Sequence, residues 1–137
     1  WITGKWYHLC SVEASSTSHS IYLDGGKKFT STTSKTVAGA DRTAIGVDAS
    51  STKANYMDGS IAHAAIWNVA LADEEVASLA SGISPLQIRR GSLINYWPMN
   101  NAASTEVDLV GGINLTAGGS PVQDEEPPIP NSRVMTI

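Results

Sequence analysis

The hydrophobic pattern changes period once, between Tyr56 and Gly82. Ile61, Ala64 or Ala65 and Trp67 alternate with polar or small residues, as in a half-buried strand, whereas Val76, Leu79 and Ala80 recur at helical spacing. A strand therefore runs into a short helix that starts at Asp73 and ends at Gly82, where glycine suits the left-handed turn that closes a helix. Upstream, alternation predicts a strand over 5–13, a Ser-rich turn at 14–18, a second strand over 19–23 and a turn at Asp24-Gly25-Gly26, which together read as a hairpin. A third short strand over 27–31 follows, then a polar connection over 32–40, a strand over 43–47 and an exposed loop at 50–53.

The first helical turn carries Asp73, Glu74 and Glu75 but no Ser or Thr cap, since Ala72 precedes it. Three acids at the positive end of the helix dipole partly compensate, at about 0.3 to 1 kcal/mol each. On a helix they fan over roughly 200° and do not converge on one ion. After residue 117 the character changes to a Gly- and Pro-rich acidic stretch, 118–137, which cannot pair centrally in a sheet because proline lacks the N–H donor. It reads as an extended strap or linker beside a domain at 1–117, able to lie along its own domain or reach a neighbouring subunit.

Only 16% of the 137 residues are charged and 42% are hydrophobic, which suits many short strands and turns rather than a disordered chain. A net charge of -4, with Lys27-Lys28 and Arg89-Arg90 as isolated pairs, argues against nucleic acid as the main partner, since phosphate binding needs clustered cations. No apolar run is long enough to span a bilayer. The single cysteine, Cys10, excludes a disulfide within these residues and a thiolate metal cluster; alternation with Val12 points it inward as a small apolar side chain.

The motifs, in order, carry a family resemblance. Trp6-Tyr7-His8-Leu9-Cys10-Ser11-Val12, Ser20-Ile21-Tyr22-Leu23-Asp24-Gly25-Gly26, Ala44-Ile45-Gly46, the Gly59-to-Asn68 strand with its helix, Leu93-Ile94-Asn95-Tyr96-Trp97-Pro98-Met99, and Asp108 through Leu115 occur in succession. This set, over about residues 6 to 116, resembles the laminin G-like and pentraxin-like branch of the concanavalin A-like lectin/glucanase superfamily. The resemblance implies an all-β, antiparallel jelly-roll β-sandwich with one short helix. A complete sandwich of this kind takes roughly 180 to 220 residues, and the match begins near its middle, so N-terminal strands are expected to be missing from this stretch.

The same resemblance frames the chemistry. Glucanases on this fold use two glutamates about 5 Å apart on a Glu-x-Asp-x-x-Glu strand; no such spacing occurs here, nor any Gly-x-Ser-x-Gly elbow, His-Glu-x-x-His or phosphate loop. No enzyme activity is expected. Pentraxin-like relatives bind calcium through side chains after the "I-G" strand and before the signature strand, where this chain has Asp48 and Asn55, so Ca2+ is the one cofactor implied. Sugars stack on aromatic rings, and Tyr56 between Asn55 and Asp58 is the glycan-binding candidate; Trp1 and Tyr56 are the aromatics expected to be exposed, while Trp6, Trp67 and Trp97 fill the core. His8 is expected to be a satisfied structural residue, and Asn114-Leu115-Thr116 is a chance glycosylation triplet.

The expected function is a non-catalytic recognition or adhesion module, carbohydrate-binding, on an extracellular or virion surface, with a glycan or surface protein as partner. The alternative is a structural component of a virion or surface assembly, with the sandwich as spacer and the tail as strap between neighbouring subunits.

Overall fold

The computed structural model describes residues 1–35, 42–48, 55–100, 105–125 and 127. The predicted loop at 50–53, most of the connection at 32–40 and the end of the tail lie outside these. Among the described residues the chain is all-β, with strands β1 (Leu9–Ser15), β2 (Ser18–Leu23), β3 (Gly26–Ser31), β4 (Ala64–Trp67), β5 (Leu93–Trp97), β6 (Thr105–Glu106) and β7 (Leu115–Thr116), and one α-helix, α1 (Asp73–Ala80). All pairings are antiparallel: β1-β2-β3 form one sheet, β4-β5 a second and β6-β7 a third.

The hairpin joining β2 to β3 turns on Asp24 (φ 50°) and Gly25 (φ 77°). Two successive positive φ values are the type I′ combination, whose twist matches that of the flanking strands. The turn also lies on the helix: a Cβ at Gly25 would meet Ala77 Cα at 3.0 Å and Ala80 Cβ at 3.1 Å. Gly25→Ala therefore combines a strained φ with a forced separation of turn and helix, and an unfolding free energy lower by about 1 to 3 kcal/mol is expected in urea titration. An unchanged midpoint would mean that the turn does not bear on α1.

The helix ends where expected, with Gly82 at φ 93°. Its N-terminus is held by side chains rather than by dipole alone. Glu75 Oε2 accepts from the Ala72 N–H at 2.8 Å, half of a capping box, while Oε1 accepts from Arg89 Nε at 2.6 Å. Asp73 Oδ1 accepts from the Tyr22 hydroxyl at 2.6 Å and from Lys27 Nζ at 2.9 Å, so the helix start is pinned to β2 and β3. These bonds from Tyr22 and Lys27 hold the Asp73 carboxyl below the usual range.

The core sits between this sheet and the helix. Val12, Tyr22, Leu71 and Val76 are buried together, with Cys10, Trp67, Leu79 and Ile88 packed around them. Cys10 points inward as expected, and burial pushes its thiol pKa up. Trp97 is only 2% exposed and donates Nε1–H to Ile113 O at 2.8 Å, while Trp67 donates to Ile88 O at 2.9 Å.

Two sequence expectations are corrected. Residues 45–47 bend instead of forming a strand, because Gly46 takes φ 73° and leaves the extended region. The signature strand is shorter than its alternation suggests and starts at Ala64, since His63 at φ 56° breaks the extended run.

Candidate functional site

Asn55, Tyr56 and Asp58 lie on one exposed segment ahead of β4. Asn55 takes φ 53°, a left-handed value that asparagine tolerates better than most residues. The Met57 N–H donates to Gly46 O at 2.8 Å and joins this segment to the Gly46 bend. Asp48 follows Gly46 by two residues in the chain and Asn55 precedes Met57 by two. At the far end of the segment, Ser60 Oγ–H donates to Asp124 Oδ2, which lays part of the acidic tail back on the same chain. That bond, with the Glu125 N–H, holds the Asp124 carboxyl below its ordinary value.

The Tyr56 ring is 64% exposed, with Met57 exposed beside it. An aromatic face flanked by an amide and a carboxylate can stack on the apolar side of a ligand while binding hydroxyl groups at its edge. Calcium asks for six to eight oxygens. Asp48 and Asn55 match that ion in kind and fall short in number, and among the described residues no group of three or more His, Cys, Asp or Glu gathers.

A second cluster escaped the sequence reading. Glu13 and His19 are directly paired across β1 and β2, and their side chains are hydrogen-bonded through Oε2 and Nδ1. His19 holds the Glu13 carboxyl down, helped by Ser11, and Glu13 in turn raises the His19 pKa. With Ile21, Phe29, Ser31, Thr33 and Lys35 the pair lines an open groove of about 390 Å³. Phe29 is a third exposed aromatic, beyond Trp1 and Tyr56. A hairpin register drawn through the Ser-rich turn would have matched Glu13 with His19; Phe29 is harder to place because the β2–β3 register shifts between Ile21 and Tyr22.

The other titratable groups have structural surroundings. His63 Nδ1 lies 2.9 Å from the Tyr96 hydroxyl, with the two rings stacked 6.2 Å apart. His8 is not the satisfied residue expected: its Nδ1 is buried without a hydrogen-bond partner, and burial lowers its pKa despite nearby Asp24. Asp108 is buried and accepts from five N–H groups. Oδ1 takes those of Tyr96, Val110 and Gly111 at 3.0, 3.0 and 3.1 Å, and Oδ2 takes Asn95 Nδ2 at 2.6 Å and Ile113 N at 3.0 Å. Asn114 Oδ1 accepts from the Asp108 N–H at 3.1 Å, a structural use of the Asn114-Leu115-Thr116 triplet. None of these groups is arranged as a nucleophile with its base.

A laminin G-type family model, described as the concanavalin A-like lectin/glucanases superfamily, matches residues 1–77, just over half of the 137. The chain belongs to this superfamily. The match runs from the N-terminal segment through β1 to β4 and into α1, and stops before β5. No curated protein and no solved structure matches the chain. Superfamily membership gives the β1–β3 sheet and its helix a place in a jelly-roll architecture and suggests a carbohydrate-binding or adhesion-type module, a class typically extracellular. Among the described residues, no helix is long and apolar enough to cross a membrane.

Proposed function

We propose that the protein is a non-catalytic recognition module that binds glycans through the segment carrying Asn55, Tyr56 and Asp58, on an extracellular or virion surface. The observation that carries this reading is the exposed Tyr56, which stands between Asn55 and Asp58 in the chain and directly precedes a stretch held at Met57 and Ser60 by the Gly46 and Asp124 hydrogen bonds. Fastening lowers the entropy lost when a ligand is bound. The absence of catalysis draws support from the surroundings of the strand acids. Glu13 is engaged with His19, and the Glu106 carboxylate accepts from the Met99 N–H at 2.6 Å. A retaining glycosidase needs two carboxylates about 5 Å apart across its groove, whereas the groove that Glu13 lines offers it a histidine as partner and no second carboxylate among its lining residues.

Calcium is an accessory in this proposal. Asp48 and Asn55 would hold it together with backbone and water oxygens, and its contribution would be a charged, stiffer loop. The alternative role, as an assembly component with the tail strapped to a neighbour, gains nothing from Asp124, whose partner Ser60 is in the same chain.

Glycan-array binding, followed by calorimetric titration of the best ligand, tests the reading. Tyr56→Ala is expected to weaken binding by about tenfold or more while leaving the melting temperature unchanged, because an exposed anchor side chain carries affinity without carrying stability. Affinity equal to that of the unaltered protein would remove Tyr56 from the site. Repeating the titration in EDTA separates the metal: weaker binding is expected if calcium orders the loop, and equal binding discards the accessory role.

A further inference from the structure

We propose that His19, in its doubly protonated form, is a proton-operated clasp that fastens the chain leaving β3 to the turn between β1 and β2, and that loss of one ring proton releases the segment from Thr33 to Lys35. Three parts of the chain meet on this one imidazole. Nδ1 faces the Glu13 carboxylate of β1, and Nε2 lies 3.0 Å from Ser16 O in the turn and 3.1 Å from Thr33 O just beyond β3. The His19 side chain is 13% exposed, so water does not compete freely for these positions.

The partners decide where the protons sit. A carbonyl oxygen only accepts, so a ring nitrogen shared by two carbonyls carries a hydrogen; a carboxylate also only accepts, so Nδ1 carries the other. Both sets of bonds therefore require the imidazolium cation. A neutral ring keeps one hydrogen. Either Nδ1 then turns its lone pair on the Glu13 carboxylate, or Nε2 turns one on both carbonyls, and in each case an attraction becomes a repulsion. The charged groups around the ring are Glu13 on β1, whose other oxygen accepts from Ser11 Oγ–H at 2.9 Å, and Lys35 beyond β3, whose charge favours the ionised form of Glu13.

These bonds matter because little else holds the segment. Thr33 and Lys35 are exposed and bury no apolar surface that would keep them in place. The Lys35 N–H donates to Ser16 O at 2.8 Å, the same oxygen that His19 reaches, so the two attachments share one anchor. Thr33 and Lys35 also form part of the wall of the groove floored by Ile21 and Phe29. The groove thus keeps its shape while His19 is charged and loses that wall when the ring is neutral. Bonding to Glu13, and then to Ser16 O, raises the His19 pKa. A histidine pKa higher in the folded than in the unfolded state contributes stability that is fully present below the unfolded value of about 6.5 and is lost as pH rises through the folded value. The clasp is therefore closed below that folded value and opens above it.

The test follows two reporters in the full chain as pH is raised. Nitrogen-15 NMR reads the protons on the His19 ring, its resonances assigned by their loss in His19→Gln, and hydrogen exchange corrected for base catalysis reads the protection of the Lys35 amide. The expected result is two protonated ring nitrogens at about pH 6, with a midpoint above the ordinary histidine value, and Lys35 protection that falls by about tenfold or more across that midpoint while the β2 amides keep theirs. Glu13→Gln, which leaves an acceptor without charge, is expected to lower the His19 midpoint and to carry the release of Lys35 down with it. A ring with a single proton at about pH 6 overturns the proposal. So does Lys35 protection that ignores the His19 titration, and so does simultaneous loss of protection in β2, which would mark unfolding of the sheet rather than opening of a clasp.

Discussion

Replacing Asp108 with alanine is expected to lower the unfolding free energy by at least about 3 kcal/mol, the largest loss of any single side chain outside the apolar core. Five N–H donors converge on this one buried carboxylate, from Tyr96 and Asn95 on β5 and from Val110, Gly111 and Ile113 in the return toward β7. Each donor left without a partner in the interior bears its own desolvation cost. Asp108→Asn keeps the shape but offers an NH2 group where Oδ2 stood, opposite the Ile113 N–H, so it is expected to recover part of the loss and no more. The carboxylate also makes this region acid-labile. Burial alone would push the Asp108 pKa up, but the donors of Tyr96, Asn95, Val110 and Ile113 outweigh it and hold the pKa well below the usual carboxylate range. A pKa lower in the folded than in the unfolded state contributes stability that is fully present above the unfolded value of about 3.9 and is lost as pH falls through the folded value. Urea midpoints at pH 6 and pH 3 should therefore differ more for the unaltered protein than for Asp108→Asn. Equal differences would show that the Asp108 pKa is the same in the folded and unfolded states, so that the fold does not depress it.

Gly111→Ala is expected to cost about 2 to 3 kcal/mol by a different route. A Cβ at this position would lie 2.3 Å from Ile94 O, 2.6 Å from Asn95 Nδ2 and 3.0 Å from Asp108 Oδ2. The first of these is backbone of β5 and cannot yield without disturbing the pairing of its neighbours Leu93 and Asn95 with β4, so the return loop must lift away and take its donors from Asp108. The two substitutions consequently act on one network, and the double variant should be less destabilised than the sum of the singles. Gly119→Ala, where a Cβ meets nothing within 4 Å, is the matched control and is expected to stay within about 0.5 kcal/mol. Comparable losses at positions 111 and 119 would mean that close packing against β5 is not the reason for glycine at 111.

Local chemistry explains which parts of this architecture were legible in the residues alone. The Asp24-Gly25 turn announces itself because few residue pairs accept two positive φ values, and α1 does so because its acids and its apolar spacing agree with each other. The inward position of Cys10 follows from alternation alone. Thr43–Val47 misled because its composition suits a strand while Gly46 bends the chain, and the signature strand lost its first half to the positive φ of His63. The Glu13–His19 pair depends on hairpin register, which a bulge near Glu13 also shifts. Asp108 lies in a motif that resembles its family, yet its role was invisible: four of the five donors are backbone N–H groups, which nearly every residue carries and no side-chain pattern reveals. The candidate site was legible only as residue types. Asn55, Tyr56 and Asp58 share an exposed segment, and the Ser60–Asp124 bond that fastens it spans 64 positions in the chain.

The most direct test of the central claim is a map of backbone amide chemical shifts as the best array glycan is titrated into the labelled protein. If recognition runs through the proposed segment, the perturbations cluster at residues 55–60, with a smaller response near Asp124. Perturbations confined to the β1-β2-β3 face around Ile21 and Phe29, or no perturbation by any glycan on the array, would contradict it.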